Sequence, residues 1–177
     1  MTKLKPICVD LDGTLIKNDV TIEAIRSFVG ARFLNIFKVI TWFFRGRAFM
    51  KKKLSEFVDL DVSKLDYNKK FLDFVISKKS DGHKIFLATA CDQLYANKIV
   101  DSIKIFDGVF ASNGESNLRA QAKASALVAI FGEGGFIYAG NSKDDLMVWQ
   151  KSAECILVNP SKSALNGMKN KEYILFK

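Results

Sequence analysis

The chain has 177 residues, 49% of them apolar, with two prolines and a formal charge of +8. That length can bury the core of one domain with room for a small insert, and the composition argues against disorder. The positive excess suits phosphorylated substrates, anionic membrane surfaces or nucleic acid without choosing among them.

The first residues carry Lys3 and Lys5 and no long apolar segment, so no secretory leader is expected. No uncharged apolar run approaches the ~18 residues that a spanning helix needs. Residues 6–9 read as a short buried strand that meets a glycine turn, Asp10-Leu11-Asp12-Gly13-Thr14-Leu15. A buried strand ending in two acids is a poor structural choice unless the carboxylates do chemistry, and ligands of open α/β sheets bind at that edge.

Residues 18–79 hold helix-like patterns and no convincing strand. A stretch this long is too large for a simple crossover, so it reads as a helical cap inserted after the first strand. Within it, residues 33–44 are mostly apolar and aromatic, with Arg32, Asn35, Lys38 and Thr41 spaced by three and Arg45 following. Such spacing gives a narrow polar stripe on a broadly apolar helix. Aromatic stripes ordinarily pack inward, so this helix is expected to sit on the core and close the site. The sharper alternative, supported by Arg47, Lys51, Lys52 and Lys53, is a cap surface that meets lipid or a membrane enzyme.

Beyond the cap, short continuous apolar runs at 84–88, 108–111, 136–139 and 155–158 read as strands buried on both faces, with a weaker edge strand at 173–176. Helix-like segments at 92–103, 120–131 and 144–151 separate them. The alternation predicts an α/β fold with a parallel sheet and right-handed crossovers. The core is expected over residues 1–17 and 80–177. Cys8, Cys91 and Cys155 are too widely spaced for a disulfide framework or zinc site and read as small buried hydrophobes, which fits a reducing cytoplasm. His83 reads as a loop residue and Trp149 as core.

Four segments carry chemistry. A carboxylate such as Asp10 can attack phosphorus, and Asp12 can protonate the leaving oxygen and then deprotonate water. Two like charges this close need a cation, and Mg²⁺ suits carboxylate, carbonyl and water ligands. Gly13 lets the backbone turn, so amides from Leu11 to Gly13 can face phosphate, with Thr14 as a supporting hydroxyl. The second strand is expected to end at Ala88-Thr89-Ala90, offering the Thr89 hydroxyl and the amides around Ala90 at the same edge, ahead of a helix N-terminus. Lys123, early in a helix, is a compact cation suited to a phosphate and an aspartyl nucleophile. Asn141, Asp144 and Asp145 follow the fourth strand and offer oxygen ligands to complete the metal shell. Each segment also has a plain structural use, as a helix cap or a turn.

Taken in order, Asp10-Leu11-Asp12-Gly13-Thr14, Thr89, Lys123 and Gly140-Asn141-Ser142-Lys143-Asp144-Asp145 resemble the four motifs of the haloacid dehalogenase superfamily. The resemblance implies a three-layer Rossmann-like core and a Mg²⁺-dependent phosphatase. Asp10 matches the nucleophile and metal ligand. Asp12 matches the acid/base, which also gives its carbonyl to the metal. Thr89 and Lys123 match the phosphate binders, and Asp145 matches the last acid of the fourth motif. Asn141 stands where that family often has a metal-touching Asp, with Asp144 a compensating candidate. Ser116-Asn117-Leu118, Gly140-Asn141-Ser142 and Asp145-Leu146-Met147-Val148-Trp149 resemble the hydrolase domain fused ahead of UbiA-type prenyltransferases, which implies prenyl-linked or sugar phosphate chemistry. A phosphotransferase or mutase on the same scaffold, and a non-catalytic module bound to a membrane partner through its cap, are the alternatives. No nucleic-acid motif is found.

Overall fold

The computed structural model describes residues 4–169 and 171–177. Residues 1–3, at the start of the segment expected to lack a leader, lie outside the described residues, as does Asn170. The described strands are β1 (Ile7–Val9), β2 (Ile85–Asp92), β3 (Gly108–Ser112), β4 (Ile137–Gly140), β5 (Glu154–Val158) and β6 (Ile174–Phe176). They form one parallel sheet in the order β3-β2-β1-β4-β5-β6. The expected α/β parallel architecture is therefore observed. After β1 the chain builds outward through β2 and β3, then returns to the other side of β1 with β4. That reversal opens a crevice between the carboxyl ends of β1 and β4.

Alternate residues of each strand feed two apolar layers. Ile7, Val9, Ile85, Leu87, Ile137 and Ala139 pack toward α4 (Lys69–Ser80) and α5 (Gln93–Ile103), through Phe71, Val75, Tyr95, Ala96 and Ile99. Cys8, Ala88, Tyr138 and Leu157 face α6 (Gln121–Phe131), α7 (Leu146–Trp149) and α8 (Lys162–Gly167), through Ala124, Leu127, Trp149 and Ala164. The three cysteines are free and buried. Trp149 is core, and half-buried His83 sits against the Lys5 carbonyl.

Between β1 and β2 run α1 (Val20–Ala31), α2 (Asn35–Phe44), α3 (Arg47–Phe57), a short 3-10 turn (Val62–Lys64) and α4. Asp19 caps α1 by accepting from the Ile22 amide at 3.0 Å. Trp42 of α2 stacks on Phe28 of α1 and on Phe57 of α3, with ring centroids 5.3 and 5.5 Å away, and the two phenyl rings are 6.0 Å from each other, so the three close a triangle. The Tyr95 hydroxyl donates toward the Leu54 and Val58 carbonyls, tying the end of α3 to α5. α4 returns to the sheet, where Phe71 and Phe74 meet Phe176 of β6.

The inward packing expected of residues 33–44 is only half observed. Val39 is buried and Trp42 packs as described, but Phe33, Phe37, Ile40 and Phe44 face solvent. Of α1, α2 and α3, the one that borders the sheet edge is α3. Two elements also differ in extent. β2 continues through Thr89 to Asp92 after a register shift against β3, and the expected 144–151 helix splits into a 3-10 turn, Lys143–Asp145, and α7.

The mouth of β2 is fastened at its amino end by Asp107. Its carboxylate accepts from the Ile85 amide at 2.8 Å, from Lys84 at 3.1 Å and from Lys79. Burial alone would raise this carboxyl, but the bonds from Lys79, the Ile85 amide and Lys84 outweigh it and hold its pKa down at about 2. A depressed folded-state pKa contributes stability above the ordinary carboxylate range that is lost as pH falls toward the folded value. Asp107→Asn should therefore cost about 1–2 kcal/mol at pH 7. The loss should shrink between about pH 4 and pH 2, as read by urea unfolding across that range.

Candidate active site

Asp10 follows the last residue of β1, and its amide donates to the Ala139 carbonyl of β4 at 2.9 Å, which sets it at the floor of the crevice. Its Oδ1 accepts from Lys123 Nζ at 2.6 Å. Lys123 lies in the first turn of α6, is 4% exposed, and also donates to the Tyr138 hydroxyl at 2.9 Å. That hydroxyl donates in turn to Asp145 Oδ1 at 2.7 Å. Three distant segments thus share one buried ionic chain. Burial alone would depress the Lys123 ammonium, yet the Asp10 and Asp145 charges outweigh it and raise its pKa above the ordinary value. Burial pushes Asp10 up to about 6, with Lys123 opposing and Asp145 adding to the rise.

Asp12 lies past the bend, and its Oδ1 accepts from the Val20 amide at 2.8 Å, at the start of α1. Burial pushes its carboxyl up to about 7, and the nearby Asp19 charge adds to this while the Val20 amide opposes it. A carboxyl near neutrality can both donate and accept a proton. Gly13 makes the bend possible at φ +76, and a Cβ there would meet the Asn141 side chain at 2.1 Å. Asn141 therefore lies directly over the turn that carries Asp10 and Asp12.

Asp145 does not serve as an open metal ligand. Its Oδ2 accepts from the Asn141 amide at 3.1 Å and from the Ser142 amide and hydroxyl at 2.9 Å each, while Oδ1 takes Tyr138. It anchors the loop that presents Asn141. Gly140 makes room for it, since a Cβ there would lie 2.6 Å from the Asp145 carboxyl carbon. Asp144 is paired with Arg119. Thr89 is likewise not a residue at the strand end. It is fully buried inside β2, and its hydroxyl accepts from the Cys91 amide at 3.0 Å. Ala90 reaches the cavity, but its carbonyl accepts from Lys51 at 2.5 Å and Ser112 at 2.9 Å. The Leu11 side chain is buried in the core, the Gly13 amide donates to the Asn18 carbonyl at 3.3 Å, and the Thr14 hydroxyl is buried without a partner.

The cavity over these groups holds about 280 Å³ and is walled by Asp10, Asp12, Asp19, Lys51, Arg119, Lys123 and Asn141. Lys51 comes from α3 and also reaches Asn117 at 3.3 Å. Sequence reasoning missed Lys51, Arg119, Asp19 and Tyr138 as site residues. Tyr138 left a trace, because a hydroxyl in an otherwise apolar central strand needs a buried partner. Lys51 left none within a run of three lysines.

Among the described residues no three His, Cys, Asp or Glu side chains are grouped to hold a metal ion. The cavity is lined instead by Asp10, Asp12 and Asn141, which bring carboxylate, amide and backbone oxygens to one place. All are hard oxygen ligands, and Mg²⁺ commonly takes only one or two carboxylates and keeps several waters. The oxygen chemistry of these side chains fits magnesium.

No protein-family model matches the chain. A curated relative, the uncharacterized protein y4nM of Sinorhizobium fredii, is 35% identical over 153 residues, which are 86% of this chain and 30% of that protein. The chain thus spans about a third of the relative's length. Among solved structures, a Bordetella pertussis protein of unknown function superposes with a TM-score of 0.74 at 16% identity, covering 99% of both chains. A phospho-aspartyl intermediate analogue of phosphoserine phosphatase gives 0.66 at 19%, covering 99% of this chain and 95% of that one. A haloacid dehalogenase-like hydrolase from Streptococcus pneumoniae gives 0.61 at 16%, covering 100% and 96%. The chain has the fold of these proteins.

Gly13→Ala should lower stability by about 1–3 kcal/mol, because it combines a strained φ with a collision against Asn141. Urea unfolding at neutral pH reads this, and Gly30→Ala, where a Cβ meets nothing within 4 Å, is the control.

Proposed function

We propose that the chain is a magnesium-dependent phosphomonoester hydrolase that works through an aspartyl-phosphate. The observation that carries this reading is Asp10 held at 2.6 Å by a buried lysine, in the crevice between β1 and β4, with Asp12 two residues away. The Lys123 charge favours ionised Asp10 in a setting that otherwise opposes it. The Asp10 carboxylate attacks phosphorus, the ester oxygen leaves, and protonated Asp12 gives that oxygen its proton. Asp12, now a carboxylate, takes a proton from water as the water attacks the aspartyl-phosphate. Inorganic phosphate leaves and Asp10 is restored. The Val20 amide holds Asp12 in place through both steps. Asp10, the Asp12 carbonyl and Asn141 would hold the ion, which supplies positive charge against the phosphoryl oxygens.

In this reading the insert of residues 18–79 supplies the cap and returns to the sheet through α4, and Lys51 and Arg119 add two cations to the wall of the cavity. The substrate is a small phosphate ester, of a sugar or a prenyl-linked alcohol. The likeness to domains fused ahead of UbiA-type prenyltransferases supports the prenyl class. Three free buried cysteines support a reducing, cytoplasmic setting.

Asp10→Asn should lower hydrolysis of p-nitrophenyl phosphate by roughly a thousandfold or more, and the variant should still fold at neutral pH with a lower unfolding midpoint, because Lys123 loses its nearest anion. Borohydride reduction during turnover should label Asp10 in the parent alone. Chelation should abolish turnover, and added Mg²⁺ should restore it. Hydrolysis by the Asn variant at the parental rate would defeat the assignment.

A further inference from the structure

The chain's charge is unevenly placed. Residues 24–55 carry eight Lys and Arg side chains and no acid, which is the whole of the net +8. That segment contains α2, whose principal neighbours are α1 and α3. α2 buries Val39 and packs Trp42 inward. On the opposite side, Phe37, Ile40 and Phe44 recur at intervals of three and four, which places them in one stripe, and Phe33 lies in the turn just before the helix. Phe33, Phe37, Ile40 and Phe44 are 75%, 62%, 44% and 83% exposed. Arg32, Lys38 and Arg45 border the stripe and are exposed; Lys38 and Arg45 lie over the Phe57 and Phe49 rings at 6.0 and 4.0 Å, and among the described residues none of the three joins a salt bridge.

We propose that this face of α2 seats the protein on an anionic lipid bilayer, with the four apolar side chains inserted below the headgroups and the flanking cations held against lipid phosphates. The observations favour lipid over a second copy of the chain. A symmetric dimer through this face would bring two acid-free cationic segments together, which opposes association. A bilayer supplies negative charge across a broad plane and apolar depth beneath it, the two properties that this face presents in complement. No described helix is long and apolar enough to cross a membrane, so the contact is interfacial. The inference does not depend on the catalytic reading, since its readout is vesicle binding.

Flotation of the 177-residue chain with vesicles tests it. Phosphatidylcholine vesicles and vesicles containing phosphatidylglycerol are compared at low and high salt. The parent should float with the anionic vesicles at low salt and far less in the other conditions. Phe37→Asp with Phe44→Asp should weaken binding roughly tenfold or more. Arg32→Gln with Lys38→Gln and Arg45→Gln should weaken it roughly a hundredfold. Both variants should keep the parental melting temperature and p-nitrophenyl phosphate hydrolysis. Failure of the parent to float with either vesicle would overturn the proposal, as would equal flotation of the folded variants. Concentration-dependent dimerisation that Phe37→Asp abolishes would overturn it in favour of self-association.

Discussion

The ammonium of Lys123 is the constraint around which the crevice is organised. A lysine this deep is tolerable only if its charge is met and its protons are placed. Asp10 meets it at 2.6 Å, the Tyr138 hydroxyl takes a second bond, and Asp145 lies 3.7 Å away. Each partner comes from a different element, so β1, β4, α6 and the loop after β4 must be in register together. The same chain fixes the Asn141 loop, because Asp145 is both the far end of the ionic network and the acceptor for that loop's amides. Stability and the proposed chemistry rest on the same groups.

Much of this was legible in the chain itself, for specific reasons. Short apolar runs bounded by turns marked the strands, because parallel strands covered on both faces have no polar side to show. Asp10, Asp12, Lys123 and Asn141 were found because each follows a buried strand or opens a helix at one sheet edge, and the structure gathers all four around one cavity. Thr89 was misplaced because nothing in Ala88-Thr89-Ala90 announces that extended backbone continues to Asp92. That continuation depends on pairing with β3 across a register shift, which is a tertiary event. Asp145 was read as a ligand because its carboxylate has the right chemistry. Only the loop's hydrogen bonds reveal that its oxygens are already taken.

The cap resisted reading for a different reason. Residues 33–44 are apolar almost all round, so periodicity can identify a helix without saying which side is covered. The answer depends on Phe28 and Phe57, residues of the two neighbouring helices, which form a three-ring cluster with Trp42 and so orient α2. An aromatic stripe normally finds the interior, and here one part of it does. Lys51 shows the same limit. Three adjacent lysines look alike in sequence, but α3 aims the first at the Ala90 carbonyl and pairs the third with Glu56.

Segregating all excess positive charge into residues 24–55 leaves the rest of the chain with equal numbers of acids and bases. The molecule is therefore an electric dipole with one pole at the cap, and it carries a torque in any external field. An approaching phosphate ester would be drawn first to the wall from which Lys51 projects, before it felt the acids beneath. A single asymmetry of composition thus sets the orientation of every anionic encounter, and raising the ionic strength would erase that preference while leaving the crevice untouched.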